Sequence, residues 1–399
     1  MKPKDQLEIF KSETIDLISE EDLLRKLERG KPLRIKYGAD PSAPDLHLGH
    51  TVPLKKLKAL QDLSHTIIFL IGDFTARIGD PSFRSETRKV LSDEEIKKNS
   101  ETYQSQVFRI LDRNKNVEVV YNSKWLDALK PKDFLKLTSQ YTVARILERD
   151  DFKKRYDQKL PITILEFLYP LIQGYDSVFL KSDVEVGGTD QKFNLLVGRE
   201  LQKSYGQEPQ VVLTLPIIEG LDGKQKMSKS LGNHIALTDS PADMFGKVMS
   251  IHDSLILRYF QYLTDCDVQK AKRELGSGKN PRDLKAELGR QIVAQYHGKA
   301  ASEKASNEFD TVFKKKELPE KIEEIELSSA MLAKGEIDIV SFLHEIKFAP
   351  SKSEARRLVE QGGVKIDSAK IASPDHKISL RKSFVLQCGK RRFARWTGK

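Results

Sequence analysis

Short apolar runs alternating with stretches of helical periodicity fill the first 230 residues of this 399-residue chain, and that alternation constrains the fold more than any other feature. The runs fall at 33–37, 66–71, 117–121, 177–180 and 211–216. Between them, 51–63, 93–111, 131–139 and 162–169 carry helix-like spacing. A strand followed by a helix before the next strand needs a crossover connection. The pattern therefore predicts an α/β, Rossmann-like, doubly wound and mostly parallel sheet. In such sheets ligands bind at the carboxyl ends of the strands, where the strand order reverses.

After about residue 233 the strand signal stops. The chain reads as a catalytic α/β domain over 1–233, an α-helical domain over 234–334, a linker at 335–338 and a small α+β module over 339–399. Charge separates the last module from the rest. Residues 341–399 hold 14 basic and 5 acidic side chains, a net +9 out of the chain's +10. A neutral body with a basic module suits a polyanionic partner, and a solvated tail is the plainer alternative. Nucleic acid is favoured over a membrane surface because no long amphipathic basic helix accompanies the charge. The longest apolar run, 66–71, is far short of the roughly 20 residues of a spanning helix. Residues 1–10 lack the apolar core of a signal peptide. Cys266 and Cys388 stand apart, with no CxxC or Cys/His cluster near either, which argues against a disulfide framework or a structural metal. The expectation is a soluble, cytoplasmic protein without a membrane partner.

Two segments carry chemistry. The first runs Tyr37-Gly38-Ala39-Asp40-Pro41-Ser42 and then Asp45-Leu46-His47-Leu48-Gly49-His50. It follows a strand and opens a helix, where a phosphate meets free backbone N–H groups. His47 and His50 share a helical face, and Gly49 would let a flat ring approach the backbone. As a bare pair, the two histidines read more readily as a metal-binding or surface pair than as a nucleotide contact, but no third ligand of obvious spacing is present and the strand–turn–helix context favours a nucleotide. The second segment, Leu221-Asp222-Gly223-Lys224-Gln225-Lys226-Met227-Ser228-Lys229-Ser230, is a glycine-punctuated loop of lysines and serines. Mobile lysines suit a charge that develops late and leaves, such as pyrophosphate, although alone the loop is also an ordinary solvated turn.

Together, a His-Leu-Gly-His segment and a Lys-Met-Ser-Lys-Ser loop resemble the paired signatures of class I aminoacyl-tRNA synthetases. Tyr169, Gln173 and Asp176, with Gly187-Gly188-Thr189-Asp190-Gln191 and Ile78-Gly79-Asp80-Pro81-Ser82, narrow the resemblance to the bacterial tyrosyl-tRNA synthetases. It spans the whole chain. The implied reaction is activation of L-tyrosine with ATP and Mg²⁺, then transfer to tRNA, with no protein-bound structural metal. Asp80, Tyr169 and Gln173 form a set that suits an ammonium group. Asp176, one helical turn beyond Gln173, is placed to accept a hydrogen bond from a phenol, or else is a helix-terminal cap. A site built to bond a substrate hydroxyl rejects the analogue lacking it, because its own polar group is then left unpaired.

The resemblance implies the remaining roles. His47, His50, Lys226 and Lys229 would act on the reacting phosphates. Asp40, Ser42, Thr51, Gly188 and Asp190 would bind ATP. Gln191 would contact the carboxylate of tyrosine, and Asn122 would support tyrosine indirectly. Arg84 and Arg88 would assist with pyrophosphate. The basic tail resembles the S-four-like RNA-binding domain. There Lys352, Arg356 and Arg357 would meet tRNA phosphates, with Lys365, Lys390, Arg391, Arg392 and Arg395 adding charge. Phe393 and Trp396 would either stack on bases or fill the core. A homodimer is implied, with interface helices between about 125 and 168.

Two positions depart from the best-known branch of the family. Lys36 stands where that branch has a tyrosine beside the substrate phenol, and Glu185 where it has a glutamine. Both touch phenol recognition and neither touches the reaction. The intact Lys-Met-Ser-Lys-Ser loop also marks a different bacterial subgroup. A tryptophanyl relative, and an RNA-binding protein with a vestigial nucleotide site, remain as alternatives.

Overall fold

A computed structural model describes the chain except residues 43–44, 82–90, 230, 314–321, 326, 328–331, 333–334, 368, 390–391 and 399. Ser82, Arg84, Arg88, Ser230, Lys390 and Arg391 lie outside the described residues. The chain divides into two units, Met1–Gly298 and Lys299–Lys399.

The first unit is built on six strands: β1 (Asp16–Ile18), β2 (Arg34–Ala39), β3 (Thr66–Ile71), β4 (Val117–Tyr121), β5 (Val184–Gly188) and β6 (Val211–Leu215). Their order is β1-β6-β5-β2-β3-β4. All neighbours are parallel except β1, which lies antiparallel to β6 at the edge. The chain winds outward from β2 through β3 to β4, then returns to β5 on the other side of β2, so the order reverses between β2 and β5. Pairing there is short. β2 follows β3 as far as Ala39↔Ile71. β5 follows β6 as far as Gly188↔Leu215. β2 and β5, however, meet only at Ile35↔Val184 and Lys36↔Glu185. Beyond that point they part, and a crevice opens at their carboxyl ends.

Covered on both faces, β3 is a continuous apolar run, which is why its bounds were readable in the sequence. The run at 177–180 is not a strand. It is the last turn of the helix Ile164–Leu180, whose Val178 packs with Val197 and Leu201 while Leu180 packs with Ile68. Periodicity does not separate a four-residue apolar run at the end of a buried helix from a buried strand. The strand of that region is β5, whose apolar pattern is broken by Glu185 and two glycines. The helix starts at a capping box: Glu166 N–H donates to Thr163 Oγ1 at 3.3 Å, and Thr163 N–H donates to Glu166 Oε2 at 2.9 Å. It meets the helix Lys192–Ser204 glycine to glycine. A Cβ on Gly174 would lie 3.1 Å from Gly198 Cα, so the two backbones approach as closely as they do only without side chains there.

The helices Pro241–Met249, Ile256–Leu263, Val268–Gly276 and Pro281–His297 belong to this same unit. Tyr259 donates to Glu219 O at 2.7 Å and Arg258 to Ile217 O at 2.8 Å, both just beyond β6. The expected separate helical domain over 234–334 is therefore divided. Its first part packs on the sheet unit, and the chain changes unit after Gly298, whose φ of +86° ends the helix Pro281–His297.

The second unit holds a five-stranded sheet in the order Ala369–Lys370, Val364–Ile366, Phe384–Cys388, Arg392–Trp396 and Glu323–Glu324. Residues 335–338 are not a linker. Glu336–Asp338 pairs antiparallel with Lys377–Ser379, and the Asp338 carboxylate caps the helix Ile339–Glu345 by accepting Ser341 N–H at 2.8 Å. The small core gathers Phe342, Leu343, Val359, Val364, Leu386 and Trp396. Trp396 is buried and donates its indole N–H to Leu380 O at 2.8 Å, so it is a core residue and not a stacking platform. Among the described residues, no helix is long and apolar enough to cross a membrane.

Candidate active site

A cleft of about 420 Å³ opens where β2 and β5 part. Its floor is set by Asp176 on the helix Ile164–Leu180. The carboxylate is buried and receives Trp125 Nε1 at 2.8 Å and Asn122 Nδ2 at 3.2 Å. Burial pushes this carboxyl up to about 7, against the opposing pull of the Lys36 ammonium and the two donors. Asn122 sits behind the cleft and is itself fixed: it accepts Phe74 N–H at 2.9 Å and donates to Thr75 Oγ1 at 3.1 Å.

Above the floor, polar side chains from several elements converge. Asp40 at the end of β2 accepts hydrogen bonds from Tyr169 OH at 2.9 Å and Thr75 OH at 2.7 Å. Burial and the neighbouring Asp40 and Asp80 raise the Tyr169 phenol far above its ordinary value, so it stays a donor. Asp80 accepts from Gln191 Nε2 at 2.8 Å, with Arg149 Nη2 4.0 Å from its other oxygen. Asn194 links the amides, donating to Gln173 Oε1 at 3.0 Å and to Gln191 Oε1 at 3.1 Å.

At the mouth, two segments about 190 residues apart in sequence are stitched together. Leu48 N–H donates to Ile235 O and Leu237 N–H to Leu46 O, both at 2.9 Å, around a bridge between His47 and Ala236. This sets the lysine loop beside the two histidines. The loop is held by Met227 N–H on Ile218 O and by Ser228 N–H on Asn233 Oδ1, each 2.8 Å. Lys226 Nζ stands 3.2 Å from Asp190 Oδ2, and Lys229 Nζ 2.9 Å from Asp45 Oδ2. The imidazoles of His47 and His50 lie with centroids 3.9 Å apart. Burial pushes His50 down to about 4, with Lys226 adding to it. Burial, then His50, His234 and Lys226, drive His47 well down too. Both rings are therefore neutral near pH 7. The flat ring against Gly49 is that of His47 itself: a Cβ on Gly49 would lie 3.0 Å from His47 Cε1 and Nδ1.

A crevice at the switch point, histidines at a helix start and lysines on a facing loop form a site for a nucleotide and a small polar substrate. The family model for "tRNA synthetases class I (W and Y)" matches residues 28–314, and that for the S4 domain matches residues 339–380. The tyrosine–tRNA ligase of Thermotoga maritima is 52% identical, across 100% of this chain and 98% of that protein. That of Bdellovibrio bacteriovorus is 49% identical, across 99% of each. This chain belongs to the tyrosyl-tRNA synthetase family. As a member, it is an enzyme that activates tyrosine and transfers it to tRNA. Solved tyrosyl-tRNA synthetases share the fold. The mitochondrial protein of Aspergillus nidulans, C-terminally truncated, has a TM-score of 0.64 at 22% identity, over 77% of this chain and 94% of that one. The Archaeoglobus fulgidus protein, complexed with L-tyrosine, has a TM-score of 0.62 at 23% identity, over 76% and 99%.

Of the residues expected in the synthetase site, Asp40, Ser42, His47, His50, Asp80, Tyr169, Gln173, Asp176, Gly188, Asp190, Gln191, Lys226 and Lys229 line the one cleft. Thr51 does not. It is buried, its hydroxyl donates to Leu48 O at 2.7 Å, and its side chain is also hydrogen-bonded with Tyr296 of the helix Pro281–His297. Sequence reasoning missed Arg149, Asn194, Trp125 and Thr75, each of which acts on a neighbour rather than through a motif, so no local signal marked it. Asp45 stands in the first quoted segment, but its role as the partner of Lys229 was not foreseen. In the second unit, Lys352, Arg356 and Arg357 are exposed on the helix Lys352–Glu360. Arg357 is 2.7 Å from Glu354, and Arg356 3.9 Å from Asp375.

Proposed function

We propose that the cleft divides its two substrates between its floor and its mouth. Asp176 accepts the phenolic hydrogen of tyrosine, while Asp80, Tyr169 and Gln173 take the ammonium group and Gln191 its carboxylate. Asn122 acts from behind by holding Asp176. Asp40 and Ser42 position ATP, and Gly188 and Asp190 take the ribose. Thr51 has no part in this reading. Mg²⁺ arrives with the triphosphate as part of the substrate.

The tyrosine carboxylate attacks the α-phosphorus directly, and the bond to pyrophosphate breaks as the acyl-phosphate bond forms. No side chain serves as nucleophile, so rate comes from positioning and from stabilising developing charge. Neutral His47 and His50 donate hydrogen bonds to the α-phosphate, and Lys226 and Lys229 leave Asp190 and Asp45 for the departing pyrophosphate. The observation that carries the reading is the stitching of residues 46–48 to 235–237, which supports a single phosphate site from two distant motifs.

Lys352, Arg356 and Arg357 contact tRNA phosphates, an attraction that weakens as salt rises. A homodimer is supported by large apolar side chains left exposed on neighbouring helices: Leu135 at 68%, Tyr156 at 63% and Ile164 at 78%. Its place of action is the cytoplasm, where ATP and tRNA meet.

The test is amino-acid-dependent ATP–pyrophosphate exchange with tyrosine, phenylalanine and tryptophan, on the wild type and Asp176→Ala. Exchange is expected with tyrosine, and discrimination against phenylalanine is expected to collapse in the variant. Discrimination that survives Asp176→Ala would remove Asp176 from phenol recognition.

A further inference from the structure

The floor of the cleft holds a charged pair that this reading leaves without a task. Lys36 Nζ lies 2.8 Å from Glu185 Oε1, and both side chains are buried. The ammonium also donates to Ser177 Oγ at 2.9 Å and to Gln173 O at 3.1 Å. Ser177 passes its own hydrogen to Glu185 Oε2 at 3.0 Å, where Gln210 Nε2 donates as well, at 2.5 Å. All three N–H groups of Lys36 are thus spent on the protein, and none is left for a substrate.

Stability does not explain such a pair. Two packed apolar side chains would serve as well or better, since removing two charges from water costs about what their attraction returns. Location does explain it. Gln173 and Ser177 bracket Asp176 on one turn of the helix, and Lys36 and Glu185 line the cleft beside Asp176. They also form the last paired register before β2 and β5 separate.

We propose that Lys36 and Glu185 are positioning residues that determine specificity for tyrosine, pinning the Gln173–Ser177 turn to the β2–β5 junction and setting the charge that Asp176 presents to the phenol. The proposal rests on Asp176 being the phenol's acceptor. Asp176 is faced by Lys36 from β2, Glu185 from β5, Asn122 and Trp125 from the segment after β4, and Tyr169 from its own helix. Lys36 favours the carboxylate and Glu185 opposes it. An ionised acceptor binds a phenolic O–H about twice as strongly as a neutral one, while phenylalanine gains nothing from the difference. Without Lys36, two buried carboxylates share the floor with no cation, and Asp176 takes up a proton. Without the charge of Glu185, the opposite holds.

The test uses the full-length protein in ATP–pyrophosphate exchange with tyrosine and phenylalanine between pH 5.5 and 8.5, with thermal melts run alongside. The variants are Lys36→Met, Glu185→Gln, the two together, and Asp176→Asn. Lys36→Met is expected to lower the tyrosine-over-phenylalanine ratio of kcat/KM about tenfold at pH 7. It should also move the acid limb of the tyrosine profile up by about one pH unit, and Glu185→Gln should move that limb down, with the double variant between them. The phenylalanine profile should not move. Equal losses for both substrates with a fixed limb would reduce the pair to a structural brace and overturn the proposal, as would shifts of the same sign. If Lys36→Met does not fold, Glu185→Gln decides, because the downward shift is required of it. If Asp176→Asn keeps the ratio, the phenol assignment falls and this proposal with it. If Asp176→Asn abolishes the ratio while the Lys36 and Glu185 variants retain it, only this proposal falls.

Discussion

Gly49→Ala separates activity from stability at the mouth of the cleft. The added Cβ would sit 3.0 Å from two atoms of the His47 imidazole and 3.7 Å from Met227 Cβ. The second contact is ordinary; the first requires the ring to retreat by a few tenths of an ångström. Gly49 lies in the first turn of the helix Leu48–Asp62 and is not among the glycines with positive φ, so alanine is free of backbone strain there. Replacing a helical glycine by alanine stabilises by about 0.5–1 kcal/mol, roughly what a small ring movement costs. The melting temperature should therefore stay level or rise. Catalysis should not be spared. Losing a well-placed donor to a reacting phosphate outright costs about 2.7–4 kcal/mol, and a partial displacement about 1–2 kcal/mol, or roughly five- to thirtyfold in kcat. Single-turnover adenylate formation at saturating tyrosine and ATP measures this without interference from tRNA transfer. A kcat within twofold of wild type, in a protein that melts normally, would refute the idea that Gly49 holds His47 in register. A parallel fall of kcat and melting temperature would mean that the clash spreads beyond the ring.

Three further outcomes are expected. The unfolded chain binds a proton at an ordinary histidine near pH 6.5 that folded His50 refuses until about 4, so this residue costs stability progressively as pH falls across that window. The unfolding free energy of His50→Gln relative to wild type should rise as pH falls from 7 to 4, and a flat difference would contradict the shift. Lys56 is buried, with Nζ 2.8 Å from Ile9 O and 3.1 Å from Ser12 Oγ at the end of the helix Pro3–Lys11. Lys56→Met should cost about 1–3 kcal/mol in urea unfolding and expose residues 1–12 to proteolysis; no change in either would show the carbonyls to be satisfied otherwise. Arg155 and Glu166 form a buried bridge at 2.6 Å whose carboxylate also accepts Thr163 N–H at 2.9 Å. Glu166→Gln strands a buried guanidinium and should destabilise by about 3 kcal/mol in denaturant titration, with a loss below 1 kcal/mol counting against it.

Local pattern carried a large share of the structure. The strand at 66–71 could be bounded from its apolar run because neighbours and crossovers cover it, and the half-buried edge strand at 117–121 from its valines. Elements whose stability comes from distant partners were not readable. β5 carries Glu185, which reads as a strand-breaking charge until Lys36, about 150 residues earlier, is brought against it. The apolar run at 177–180 reads as a strand until the helix Lys192–Ser204 is seen to cover one side of it. Likewise, Gly335 and the acidic residues after it look like a linker until Lys377–Ser379 pairs with them.

The candidate site divides in the same way. Residue types and spacings alone determined the chemistry on offer: a carboxylate, a phenol and an amide for an ammonium group, histidines at a helix start, and lysines on a glycine-punctuated loop. Side-chain chemistry is local, and those groups are the same wherever the chain places them. Only the tertiary structure decided that Thr51 turns inward to Leu48 O, that Trp125 and Asn122 hold Asp176, and that residues 46–48 lie against 235–237. Those outcomes depend on which buried polar groups find partners across the sheet. A hydrogen bond between residues far apart in the chain leaves no period or composition in the sequence around either of them.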